Sequence, residues 1–161
     1  MSLPHQVQRD LVRLVESEEL CEASFATAAK VTTDDSRRAQ LVALYQLEVQ
    51  TKRGVRNFIE RCELDLNTAN AIAAGVGLAG GAFLYLMPEP IQLASLKLVS
   101  KRYLPAFRRL NDYYLGTEHW PFFDYVVAHE LAIIDFAEMA RFHNGCALDA
   151  VNRLLDMGMP E

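Results

Sequence analysis

Little cysteine, no excess of basic charge and no two-residue apolar alternation mark this 161-residue chain. Its three cysteines, Cys21, Cys62 and Cys146, lie far apart and form no CxxC pair. That spacing argues against a zinc ribbon or a disulfide framework and for a reducing compartment. The 16 Lys and Arg stand against 21 Asp and Glu, a net charge of -5, so nucleic acid is not an expected partner. The densest basic cluster, Lys101, Arg102, Arg108 and Arg109, reads as the solvated face of a helix. The N-terminal MSLPHQVQRD has no basic region leading into an apolar run, so a signal peptide is not expected and the cytoplasm is the expected location. There is no nucleophile elbow and no zinc motif. The GxGxxG string at Gly75 to Gly80 lacks the strand–turn–helix setting a dinucleotide site needs.

What is present is helical periodicity. Apolar residues make up 51% of the chain and charged residues 23%, an ordinary globular balance, and no linker or repeat divides residues 1–161, which read as one domain. A first helix is expected over Pro4 to Lys30, with the seam Leu11, Leu14, Glu18, Cys21, Phe25, Ala28 at spacings of three and four. Thr32 to Ser36 supply a turn and a cap. A second helix is expected over Asp35 to Cys62, with the seam Leu41, Leu44, Glu48, Thr51, Val55, Phe58, Cys62. Its short link to the first predicts an antiparallel pair.

A glycine-rich apolar segment, Asn70 to Met87, ends at Pro88-Glu89-Pro90. The next helix carries Leu93, Leu96, Ser100, Tyr103, Phe107, Leu110 and Tyr114, with a kink or break expected near Lys101 to Leu104 because of Pro105. Gly116-Thr117 closes it. Another helix, reaching about His143, carries Phe123, Val126, Glu130, Ile133, Ala137 and Ala140. A short helix over Ala147 to Met157 ends the pattern. Residues 71–87 carry no charge but are short for a membrane span and lack basic flanks, so membrane association is not expected. Their small residues suit close packing, and Gly77 and Gly81 suit an interface in a dimer, the self-association the sequence favours.

Three residues interrupt the apolar seams: Glu18, Glu48 and Glu130. A carboxylate is rarely buried without a partner. Glu18 and Glu48 lie at equal distances on either side of the first hairpin turn, which places them at one height along the pair. Three carboxylates at one level repel unless a metal ion, a basic partner such as Lys52 or Arg102, or retained protons compensate. The alternative is an exposed acidic face with local pairs, Glu48 with Lys52 and Arg13 with Glu16. His129 is adjacent to Glu130 but points about 100° away on a helix, so it serves as a ligand only with rotation.

With these residues in view, the chain resembles the ferritin-like superfamily, rubrerythrins in particular. The matching features are Phe25 seven residues beyond Glu18, the stretch Leu44 to Glu48, the string Tyr103-Leu104-Pro105-Ala106-Phe107, and the 25 residues from Pro105 to Glu130. The resemblance implies an all-α, antiparallel four-helix bundle of ferritin-like type, here with the glycine-rich segment and the short C-terminal helix added. It implies iron or manganese held by Glu18, Glu48 and Glu130, with His129 as a further ligand. The sequence departs from the family at Thr51 and Ile133, where each Glu-x-x-His motif has its histidine, and at Leu96 and Val99, where a further Glu belongs. The departures favour a non-catalytic, metal-free member acting as a binding or assembly module. The alternatives are a metal-binding, oxidoreductase-like protein and a lipid-associated one.

Overall fold

The computed structural model describes residues 3–66, 87–142 and 145–160, and all of its regular structure among them is helical. Five helices follow in order: α1 (His5–Val31), α2 (Asp35–Arg61), α3 (Glu89–Tyr114), α4 (Trp120–Ala140) and α5 (Asp149–Met157). The glycine-rich segment, with Gly77 and Gly81, falls at residues 67–86 and lies outside the described residues, as does His143. No described helix is long and apolar enough to cross a membrane.

The boundaries follow local chemistry. Asp34 caps α2, its carboxylate accepting the Arg37 backbone N–H at 2.6 Å. Pro90 and Pro121 lie in the first turns of α3 and α4, where a missing N–H is harmless. Gly116, at φ 80°, turns the chain between those helices. The expected break at Pro105 does not occur, and α3 runs through it. Pro105 and Lys101 are both exposed, so the carbonyl that loses its helical partner faces solvent. Helix α4 stops at Ala140, short of His143, and α5 begins at Asp149, two residues beyond Ala147.

The core has two clusters. One joins Leu11 and Leu14 of α1 to Val55 and Phe58 of α2, and Phe107 and Leu110 of α3 to Phe123 and Val126 of α4. The other joins Phe25 to Leu41 and Leu44, and Leu93 to Ile133 and Phe136. The early part of each helix therefore packs with the late part of its chain neighbour. Aromatic rings Phe107, Tyr114, Phe122 and Phe123 at the α3–α4 hairpin pack in the core, whereas Tyr113 is exposed. The Phe58 ring lies 5.0 Å from Phe123, 5.4 Å from Phe122 and 5.6 Å from Tyr114 between centroids. Gln50 ties α2 to α4 and α5, donating to the Tyr125 hydroxyl at 2.7 Å and the Leu154 carbonyl at 3.1 Å.

Candidate metal centre

Between the two apolar clusters the core turns polar. Glu18 on α1, Glu48 on α2 and Glu130 on α4 are 2%, 1% and 6% exposed, so an exposed acidic face is excluded for all three. Their burial follows from the seams, since each occupies a position flanked at three- and four-residue spacing by core residues. His129 is buried beside them at 1%.

Glu18, Glu48 and His129 converge. One donor atom from each can be chosen so that all three lie within 4.8 Å of one another. His129 Nε2 is 3.4 Å from Glu48 Oε1, and Nδ1 is 3.9 Å from Glu18 Oε1. These contacts are too long for good hydrogen bonds. Glu18 Oε2, Glu48 Oε1 and both His129 nitrogens are buried with no hydrogen-bond partner. Orphaned polar atoms are rare in a folded core, and four from three converging side chains form a cradle for a missing group.

Glu130 stands beside this set rather than in it. It accepts a hydrogen bond from the Ser100 hydroxyl of α3, and its charge is felt by Glu18. His129, not Glu130, completes the tight group, although the two are adjacent on α4. That helix is buried on most of its circumference, so neighbouring residues face different helices and both remain inside.

Burial and mutual repulsion govern the protons. Burial pushes the Glu18 carboxyl well above its ordinary range, and the charge of Glu48 adds to this. Burial carries Glu48 up to about 8, against a hydrogen bond with Glu18 that favours its charged form. Burial likewise carries Glu130 up to about 7, with His129 opposing the rise. Cys21, one turn beyond Glu18, is also pushed up, by burial first and then by the three glutamates.

The expected local ion pairs are replaced. Lys52 turns from Glu48 to Glu19 and Glu22 across the α1–α2 contact, at 2.6 Å from Glu19. Arg13 pairs with Asp10 at 3.5 Å instead of Glu16. Arg102 is solvated, as are Lys101 and Arg108, but Arg109 reaches Asp10 with a two-pronged contact of 2.7 and 2.9 Å. Among the described residues no Lys or Arg side chain pairs with Glu18 or Glu48, and the basic group beside them is His129, at 3.9 and 3.4 Å.

The donor set fits a divalent transition ion. Two ligands on such an ion at about 2.1 Å stand about 3–4 Å apart, close to the spacing found here. Two carboxylates and an imidazole suit manganese, iron or zinc, whereas calcium takes six to eight oxygens. His129 would offer one imidazole nitrogen to such an ion; its Nε2 faces Glu48 and its Nδ1 faces Glu18. Thr51 and Ile133 are buried and offer no such donor, and Thr51 Oγ1 donates to the Leu47 carbonyl at 3.0 Å. A larger cavity, about 1100 Å³, lies elsewhere, lined by Arg53, Phe58, Cys62, His119 and Phe122, and none of the four cluster residues faces it. Comparison of the chain with protein-family models, curated proteins and solved structures gives no match in any of the three.

Proposed function

We propose that this chain is a ferritin-like helical-bundle protein that holds one divalent transition-metal ion in its core through Glu18, Glu48 and His129. The observation that carries the reading is the convergence of three buried donors whose facing atoms have no protein partner. The pairing of opposite ends of α1 with α2 and of α3 with α4 supports an antiparallel four-helix bundle, with α5 as the added C-terminal helix. Iron or manganese is the expected ion on the family resemblance, and the donors also accept zinc. A single imidazole and the lack of both Glu-x-x-His motifs favour one ion over a dinuclear centre. The reading assigns binding and no reaction.

The test is metal analysis of protein purified without chelator, followed by titration of chelator-treated protein with Mn(II), Fe(II) and Zn(II). One ion per chain is expected. At a free ion concentration a hundred times Kd, the fold gains about 2.7 kcal/mol, which raises Tm by about 5–10 °C. Glu48→Gln keeps the shape and removes a ligand, and it weakens binding by about a hundredfold or more. No ion bound and no shift in Tm would falsify the reading. The metal-free alternative, an assembly module, is favoured by the raised carboxyl pKa values, which let protons take the ion's place. It predicts that light scattering finds a dimer and that added metal leaves Tm unchanged.

A further inference from the structure

The proposed ion needs a way in, because its ligands are almost wholly covered. A cleft of about 260 Å³ between α1 and α2 is lined by Glu18, Glu19, Lys52, Arg56, Glu60 and Asp65, among others. Glu18 therefore belongs both to the buried cluster and to this cleft, and its Oε2 has no partner. The other three cluster residues do not line the cleft. Glu60 and Asp65 are exposed on its rim. Lys52, 15% exposed, stands one turn beyond Glu48 and donates to Glu19 and Glu22. Arg56 adds a longer contact to Glu19 at 3.5 Å.

We propose that a divalent cation reaches Glu18 through this α1–α2 cleft, drawn by Glu60 and Asp65, with Lys52 as the gate that must swing off Glu19 and Glu22. The proposal rests on the metal-binding reading above. Its physical basis is the order of charges along the path. Carboxylates at the rim raise the local concentration of cations. The Lys52 ammonium opposes the passage of a second positive charge while it bridges the two glutamates, and it rests on a flexible stem. Once Lys52 moves away, Glu19, still within 3.5 Å of Arg56, presents its carboxylate to the path, and Glu18 follows as the first buried ligand. Lys52 is a positioning residue here, since it does not touch the bound ion.

Stopped-flow uptake of Mn(II) by chelator-treated protein tests the route. Lys52→Met is expected to raise the uptake rate about tenfold and the release rate with it. A purely structural lysine would instead lower affinity without faster uptake. The exposed double variant Glu60→Lys/Asp65→Lys leaves the core untouched and decides the matter if Lys52→Met fails to fold. It is expected to slow uptake about tenfold at low salt, with the difference shrinking at high salt. Glu118→Lys/Asp124→Lys, at two exposed positions outside the cleft lining, makes the same change in net charge and leaves uptake unchanged. Uptake by the double variant within twofold of wild type, while both bind Mn(II), overturns the route and leaves the site reading intact. Failure of the wild type to bind Mn(II), Fe(II) or Zn(II) overturns both.

Discussion

Asp10 and Glu18 sit eight residues apart on α1 (18 minus 10), about 12 Å along the axis, and are buried almost equally, at 1% and 2% exposed. Their surroundings are opposite. Asp10 receives two hydrogen bonds from Arg109, at 2.9 and 2.7 Å, and two from Gln6 at 3.0 Å, with Arg13 nearby at 3.5 Å. Burial alone would raise its carboxyl pKa, but Arg109 and Gln6 outweigh it and hold the carboxyl below its usual value. Glu18 meets the Glu48 carboxyl, with which it shares a hydrogen bond, and an imidazole at 3.9 Å, and its pKa rises, through burial first. A buried carboxylate that the chain neutralises itself is structural. One left facing a second carboxylate and two bare nitrogens carries a charge deficit that only protons or an outside cation can fill.

The largest effect should come from pH acting on the unneutralised end. Glu48 and Glu130 have folded values near 8 and 7, above the unfolded value of 4.5. Between those limits the folded state binds more protons than the unfolded one, so the chelator-treated protein is most stable below about pH 4.5 as far as these groups are concerned. That contribution is lost as pH rises through 7 to 8. The loss is on the order of 3 kcal/mol per carboxylate. Urea midpoints at pH 5 and pH 8 in the presence of chelator measure it. Glu48→Gln should flatten the slope and leave the metal-free protein more stable than wild type at pH 8, even as it weakens metal binding. Equal midpoints for wild type at the two pH values would mean that the cluster is not the charge-deficient site described here.

The neutralised end should respond with the opposite sign. Arg109→Met keeps the aliphatic stem and removes the fork, leaving Asp10 with Gln6 as its principal partner. Arg109 is 45% exposed, so the cost stays below that of a fully buried pair, at about 2 kcal/mol at pH 7. Because the folded pKa of Asp10 lies below 3.8, its stabilisation exists above that value and disappears as pH falls through the folded pKa. The deficit of Arg109→Met relative to wild type should therefore narrow in acid, where the Glu18 level is strongest. Equal deficits at pH 7 and pH 3 would show that Arg109 acts through packing alone.

Much of this contrast lies in the helical period. The seams through Leu11, Glu18 and Phe25 and through Leu44, Glu48 and Val55 put both glutamates inside, and the short hairpin link put them level. His129 is less visible because the seam through Val126, Glu130 and Ile133 passes it by. A second stripe on the same helix, Phe122, Tyr125, His129, Ala132 and Phe136, has spacings of three and four and is buried throughout. On α1 the parallel stripe Val7, Asp10, Leu14 and Ser17 carries Asp10 inward in the same way. A helix in contact with two neighbours has two buried seams, and reading one of them misses the polar residues on the other, Asp10 and Ser17 on α1 and His129 on α4. Partners are harder to see than burial: Arg109 lies 99 residues from Asp10, and Lys52 prefers Glu19 and Glu22 to the glutamate four residues before it. Long side chains choose among acceptors across helices, and no spacing along one helix encodes that choice.

Glu130 lies between the two extremes, with one clear donor, and it gives the smallest test. The Ser100 hydroxyl favours the charged carboxylate, so Ser100→Ala should raise the Glu130 carboxyl beyond about 7. At pH 8, where the side chain is ionised in wild type, the substitution removes a charge-assisted hydrogen bond and costs about 1–2 kcal/mol. At pH 5.5 the carboxyl is protonated in the folded state and the cost falls to about 0.5 kcal/mol. Urea midpoints of Ser100→Ala at the two pH values, both in chelator, separate these outcomes. If the same substitution is made with metal bound and Glu130 has become a ligand, the pH dependence should vanish, because the ion then holds the carboxylate charged at both pH values. A pH dependence that persists in the metal-loaded protein would place Glu130 beside the ion rather than on it, as the three-residue set of Glu18, Glu48 and His129 requires.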